Sequence, residues 1–326
     1  MNRRIYFVFL SLTLSGVVSL QPAAAKDYPT RPIRMVIPFP AGGGADFMGR
    51  EISKKLSEHL GQPVINENKA GASGIVGAQQ VAQSKADGYT LLLGTSGTHS
   101  TNFATTPGLS YHPLNSFETV SIFGDAPFLV CLNPKLPVKS FAELIQYARA
   151  NPGKLEFGSS GMGSSAHLGF EAMNAQLKTR MLHVPYSGLP PAITDTIGGQ
   201  IAMTMAPIPS ARPHIQSGAL NCVATGGRKR SPVFPNIPTI SESGAPGLSI
   251  GSWYGIFAPK GTPTDIVARI SAAVLKALNE DDLKSALDRV GVDSLPLNPV
   301  QSRKLLEEDI AVSMKIAKDL NIKVTP

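Results

Sequence analysis

The stretch Ile33-Arg34-Met35-Val36-Ile37-Pro38-Phe39-Pro40-Ala41-Gly42-Gly43-Gly44-Ala45-Asp46 decides the fold. Its first five residues read as a buried strand and its glycines as a turn. A helix follows, because Met48, Ile52, Leu56 and Leu60 recur every fourth residue. The same order returns at Leu155-Glu156-Phe157, which runs into Gly158-Ser159-Ser160-Gly161-Met162-Gly163-Ser164-Ser165-Ala166-His167. There Ala166, Phe170, Met173 and Leu177 form the second apolar helix face. A turn that leaves a strand and opens a helix aims unpaired N–H groups at one place, where a small anion can sit. Two such turns on one chain predict two lobes that close around a small carboxylate.

Outward from these turns, strand and helix alternate, which is the signature of an α/β chain. Val64-Ile65, Tyr89 to Leu93, Leu182 to Val184, Ile201 to Met205 and Leu220 to Ala224 read as strands. Ile75 to Gln83 reads as a helix, and Ser140-Phe141-Ala142-Glu143 opens another with a capping box. Two C-terminal helices begin at Thr262-Pro263 and Asn298-Pro299. In open α/β sheets ligands bind beyond the carboxyl ends of the strands. The loops 38–46, 70–74, 94–100 and 158–165 all follow such ends. With the lobe crossings placed at the two Cys-bearing strands, lobe 1 is discontinuous, 26–125 plus 226–326, and lobe 2 is 126–225.

Residues 1–25 read as a secretory signal. Arg3 and Arg4 form a basic start, Ile5 to Leu20 is apolar, and Ala23-Ala24-Ala25 offers a small-residue cleavage site near Ala25. About 300 residues remain, enough for two compact lobes. Losing Arg3 and Arg4 lowers the formal net charge from +7 to about +5. Gly226-Gly227-Arg228-Lys229-Arg230 is the one dense basic cluster. Without interleaved aromatics or zinc-type spacing it does not read as a nucleic-acid site. Cys131 and Cys222 each lie in an apolar strand-like run; an oxidising compartment permits a bridge, and two buried thiols fit equally well.

Several chemistries fail on spacing. A nucleophile elbow needs Gly-x-Ser-x-Gly, but Met162 stands two places from both Ser160 and Ser164. Ser164 or Ser165 reads instead as a helix N-cap. The alternative carried forward is a secreted serine hydrolase using Ser160 or Ser164 with His167 or His99. Gly42-Gly43-Gly44 meets neither the P-loop nor the dinucleotide pattern. The histidines show no metal spacing, so neither metal nor cofactor is expected. Trp253 is the single tryptophan, which argues against a sugar platform, and no paired Arg clamp lies near the Gly turns. Main-chain N–H and hydroxyl groups are therefore expected to hold the anion. Asp46, at the start of the first helix, stabilises its dipole or holds a ligand amino group. Asp195 is a further candidate in a helical run.

In order along the chain these motifs resemble one family. They are Tyr28-Pro29-Thr30-Arg31-Pro32-Ile33, the first Gly turn, Asn68-Lys69-Ala70-Gly71-Ala72-Ser73-Gly74 and Asp87-Gly88-Tyr89-Thr90-Leu91. Gly161 to Leu168, Val184-Pro185-Tyr186-Ser187-Gly188, Trp253-Tyr254-Gly255 and Ala258-Pro259-Lys260-Gly261-Thr262-Pro263 complete the set. The chain resembles the substrate-binding proteins of tripartite tricarboxylate transporters, the Bug receptor family. The resemblance implies a two-lobed periplasmic-binding-protein fold of the Venus flytrap kind, type II. It implies a periplasmic, non-catalytic, monomeric receptor for a dicarboxylate, tricarboxylate, amino acid or aromatic acid. Delivery would be to a permease of one large and one small membrane subunit; a sensor touching a signalling partner is the variant reading. Carried onto this chain, the ligand-binding candidates are Ala41, Gly42, Gly43, Asp46, Ala72, Ser73, Thr95, Ser96, His99, Ser160, Gly163, Ser164, Tyr186 and Asp195. Ser187 stands where the family often has Lys, which removes a possible cation.

Overall fold

A computed structural model describes residues 28–324. The predicted leader lies outside the described residues. The strands are β1 (Ile33–Ile37), β2 (Val64–Asn68), β3 (Thr90–Thr95), β4 (Phe117–Leu132), β5 (Glu156–Ser159), β6 (Leu182–Pro185), β7 (Met203–Pro207), β8 (Asn221–Thr225), β9 (Gly251–Pro259) and β10 (Asp293–Ser294). The helices are α1 (Gly44–Leu60), α2 (Ile75–Ala82), α3 (Asn102–Thr105), α4 (Phe141–Ala150), α5 (Ser165–Leu177), α6 (Leu189–Gly198), α7 (Ile208–Gln216), α8 (Thr264–Ala277), α9 (Asp281–Val290) and α10 (Pro299–Asp319). Among the described residues no helix is long and apolar enough to cross a membrane.

The sheet is built twice on one plan. The first half runs β2-β1-β3-β9-β4 and the second β6-β5-β7-β4-β8. In each, the first three strands are parallel and the next is antiparallel to both neighbours. That antiparallel strand is the one arriving from the other half: β9 in the first, the end of β4 in the second. The sixteen-residue β4 thus belongs to both. This repeated order with exchanged strands is the two-lobed, type II arrangement.

Burial follows the strand period. Ile33, Met35 and Ile37 face one apolar layer of the first half while Val36 faces the other. In the second half Phe128, Val130 and Leu132 face one layer, and Leu129 and Cys131 the opposite one. Both sheets are therefore covered on both faces, as parallel strands require. Cys131 and Cys222 stand opposite each other on β4 and β8 and form a disulfide.

Against an expected crossing after residue 225, the apolar residues of 226–250 pack on the second half. Ile240, Ala245 and Ile250 pack into the second-half core, and Val233, Phe234 and Ile237 pack on its other face. Thr225 N–H donates to Pro238 O at 2.8 Å and Ile240 N–H to Thr225 O at 2.8 Å, tying the segment to β8. The chain crosses back as β9 begins, at Gly251. The apparent pair of C-terminal helices is also three, because α9 stands between α8 and α10.

Candidate functional site

Every parallel strand in both halves ends toward the same cleft. β1 runs through Pro38–Gly43 into α1. β5 runs through Ser160–Ser164 into α5, β6 through Tyr186–Gly188 into α6, and β7 passes at Pro207 into α7. The empty space of the cleft, with the open solvent at its mouth, is about 580 Å³. The first half contributes Phe39, Pro40, Gly43, Gly44, Ala45, Ser73, Thr95, Gly97, Ser252 and Tyr254. The second half contributes Phe128, Ser160, Ser164, Ser165, Gly188, Leu189, Pro190 and Pro207.

Two helix N-termini face each other here, one from each half. α1 begins on Gly43, which caps nothing with a side chain, and its first internal bond is Phe47 N–H to Gly43 O. The N–H groups of Gly44 and Ala45 have no protein acceptor among the described residues. Gly44 is required: a Cβ there would lie 2.7 Å from Tyr254 Oη and 3.0 Å from Pro207 Cγ. α5 begins on Ser164, whose Oγ accepts from His167 N–H at 3.3 Å, and Ser165 N–H has no acceptor among the described residues. α6 follows Gly188, but Pro190 and Pro191 remove two of its free donors.

Hydroxyls fill the space between. Ser96 Oγ lies 2.9 Å from Ser165 Oγ and 3.0 Å from Ser252 Oγ, so a buried serine orders two that line the cleft and joins the halves. Ser73 Oγ donates to Met162 O at 3.1 Å across the mouth. Ala72 and Ser73 hold φ of 45° and 54°, a left-handed backbone that non-glycine residues adopt at a cost of about 1 kcal/mol or more. Ser73 and Ser96 thus tie the two halves together across the cleft.

Of the sequence candidates, Gly43, Ser73, Thr95, Ser160 and Ser164 line the cleft. Ala72 and Tyr186 line a depression just outside it, beside Met162. Ala41, Gly42 and Gly163 do not line the cleft; Gly163 N–H donates to His167 Nδ1 at 3.0 Å. Ser96 acts behind the wall. Asp195 accepts from Tyr186 Oη at 2.8 Å and does not reach the cleft.

Two candidates are moved by the structure. His99 is wholly buried in the first half, stacked on Phe257 with ring centroids 3.8 Å apart. Burial holds it neutral, its pKa lowered to about 3. Asp46 is buried and turned into its own loop. It accepts from Gly42 N–H at 3.1 Å, Arg50 Nε at 3.1 Å and Asn68 Nδ2 at 3.0 Å. Burial raises its pKa, but these three partners outweigh that and hold the carboxyl below its ordinary range.

The hydrolase geometry is not assembled. Ser164 Oγ is occupied by the His167 backbone, and the His167 ring accepts from Gly163. The close Ser–His pair is Ser159 Oγ to His183 Nε2 at 2.6 Å, but Ser159 is wholly buried and braces the Gly161 loop.

Sequence reading missed Tyr254 and Ser252 because β9 shows no alternation; it is buried on both faces. It missed Phe128, Pro190 and Pro207 because only the chain crossing brings them beside the first Gly turn.

Residues 48–322 match the family described as tripartite tricarboxylate transporter family receptor. Protein BugT of Bordetella pertussis is 33% identical over 325 residues, covering 99% of each chain. A solved Rhodopseudomonas palustris structure described with adipate is 35% identical, with a TM-score of 0.88, covering 92% of this chain and 100% of its own. MatC from the same organism, described with bound malate, is 33% identical with a TM-score of 0.84, covering 89% and 99%. These relatives are solute receptors, not enzymes, and the chain belongs to the tripartite tricarboxylate transporter receptor family.

Proposed function

We propose that this chain is a periplasmic receptor that closes on a small carboxylate and hands it to a membrane permease of one large and one small subunit. One observation carries the reading: helix N-termini from the two halves face each other across a single cleft lined by hydroxyls. Withdrawing a carboxylate from water costs several kcal/mol. Hydrogen bonds to a charged group return about 1.5–3 kcal/mol each, so three or four donors must converge. The N–H groups of Gly44, Ala45 and Ser165 and the hydroxyls of Ser160 and Thr95 supply at least that number. The adipate and malate described in the two relatives fit the same chemistry. The closed form, pinned by Ser73 and Ser96, is the state that would dock, as a monomer, to the permease.

Calorimetry on mature protein stripped of bound solute tests this, with adipate, malate, citrate and benzoate as probes and glucose as the neutral control. At least one acid is expected to bind one-to-one at micromolar affinity or better. Binding of glucose with no response to any acid overturns the reading, as does steady turnover of an ester. N-terminal sequencing of the exported protein is expected to begin near Lys26.

A further inference from the structure

Among the cleft-lining residues none is Asp, Glu, His, Lys or Arg. The nearest carboxylate in sequence, Asp46, is occupied by Gly42, Arg50 and Asn68 and does not line the cleft. A ligand ammonium group would therefore meet no counter-charge. It would also lie in the positive field of two helix N-termini, which favours anions and repels cations. Beside the serine and threonine hydroxyls, the wall is apolar: Phe39, Phe128, Leu189, Pro190 and Pro207.

Tyr254 completes the wall. Its residue is 3% exposed, and its hydroxyl has no hydrogen-bond partner among the described residues. It reaches the cleft directly against Gly44, at the first turn of α1. The hydroxyl oxygen is not among the buried side-chain atoms that lack a partner, so it opens onto the cleft, where its proton is free for a ligand acceptor. Burial pushes the phenol well above its ordinary pKa, leaving it a donor throughout the neutral range.

Resting on the carboxylate-receptor reading, we infer that the cleft selects acids lacking an ammonium group, with a plain hydrocarbon body against the apolar wall. Tyr254 is the specificity-determining residue, donating its hydroxyl to the carboxylate held at the N-terminus of α1.

The test uses pairs that differ by one amino group: adipate with 2-aminoadipate, succinate with aspartate, and 3-phenylpropionate with phenylalanine. Each is titrated at pH 7.5 into the stripped mature protein and into Tyr254→Phe. Within each pair that binds, the plain acid is expected to bind at least tenfold more tightly than its amino twin. Tyr254→Phe is expected to weaken the best acid about tenfold while the ligand-free melting temperature stays unchanged, since the hydroxyl bonds no protein group. An amino acid that binds as tightly as its twin overturns the selection. Unchanged affinity in Tyr254→Phe overturns the role of the phenol; both results leave the receptor reading standing. Failure of every acid, including the probes above, sinks the receptor reading and this inference together.

Discussion

The two glycine-rich turns share one chain logic and finish it differently. The α1 turn ends on Gly43 with no side-chain cap, and the carboxylate of Asp46 braces it from within. The α5 turn ends on Ser164, which uses its own hydroxyl on His167 N–H, and neutral imidazoles brace it. His167 stacks on His183 with centroids 3.8 Å apart, and His183 in turn holds Ser159. One turn leaves its donors free; the other satisfies part of itself. On the proposed reading, most of the ligand energy falls on the α1 side and the acid sensitivity of this pair of turns on the α5 side.

The largest effect that tests this division comes from paired variants, Gly44→Val and Ser164→Ala. The added side chain at position 44 would press on Tyr254 and Pro207 and fill the α1 cradle. Affinity for the best of the acid probes is expected to fall more than a hundredfold, with a cooperative melt retained. Ser164→Ala removes a cap, which is worth about 0.5–2 kcal/mol, and one cleft hydroxyl. Its affinity is expected to fall about tenfold, with a measurable drop in melting temperature. Equal losses by calorimetry would break the comparison.

What was legible in the sequence was local. Both Gly turns, their helices and the Ser164 cap depend on residues within one or two turns of chain. The rest depended on the crossings. Segment 226–250 carries too few apolar residues in any period to announce which half it covers; Ile240, Ala245 and Ile250 reveal it only once packed. β9 brings Ser252 and Tyr254 into the cleft, yet its buried run lacks the alternation that marks a strand. His99 sits on a polar loop in sequence but turns inward, because Gly94 leaves room for its ring. A Cβ at Gly94 would lie 2.6 Å from His99 Cε1.

Acid should separate the turns next. Burial lowers His167 to about 4, and burial together with His167 lowers His183 to about 3. An unfolded His titrates near 6.5. Between those values the unfolded chain binds more protons, so stability is full above about pH 6.5 and is lost as pH falls toward 4. His99 contributes in the same window from the first half. Asp46 acts in the same direction at lower pH: its lowered pKa gives stability that is lost only as pH falls below the ordinary carboxylate range. In urea titrations from pH 7 to 4.5, His167→Gln is expected to flatten the pH slope by up to about 1.4 kcal/mol per unit, one proton's worth. An unchanged slope would show that the imidazole stack does not carry the acid response.

The smallest effect is expected at the residue that the sequence made a candidate for amino-group recognition. Asp46→Asn leaves an acceptor for Gly42 N–H but removes the ion pair with Arg50. That guanidinium is 59% exposed, so solvent screening limits the loss of stability to about 1 kcal/mol or less. Because the carboxylate faces its own loop, affinity for plain acids is expected to change less than threefold. The division between the turns survives that result and no other: if Asp46→Asn selectively abolished binding of an amino acid, its carboxylate would be reaching the ligand. The α1 turn would then be a zwitterion site rather than an anion cradle.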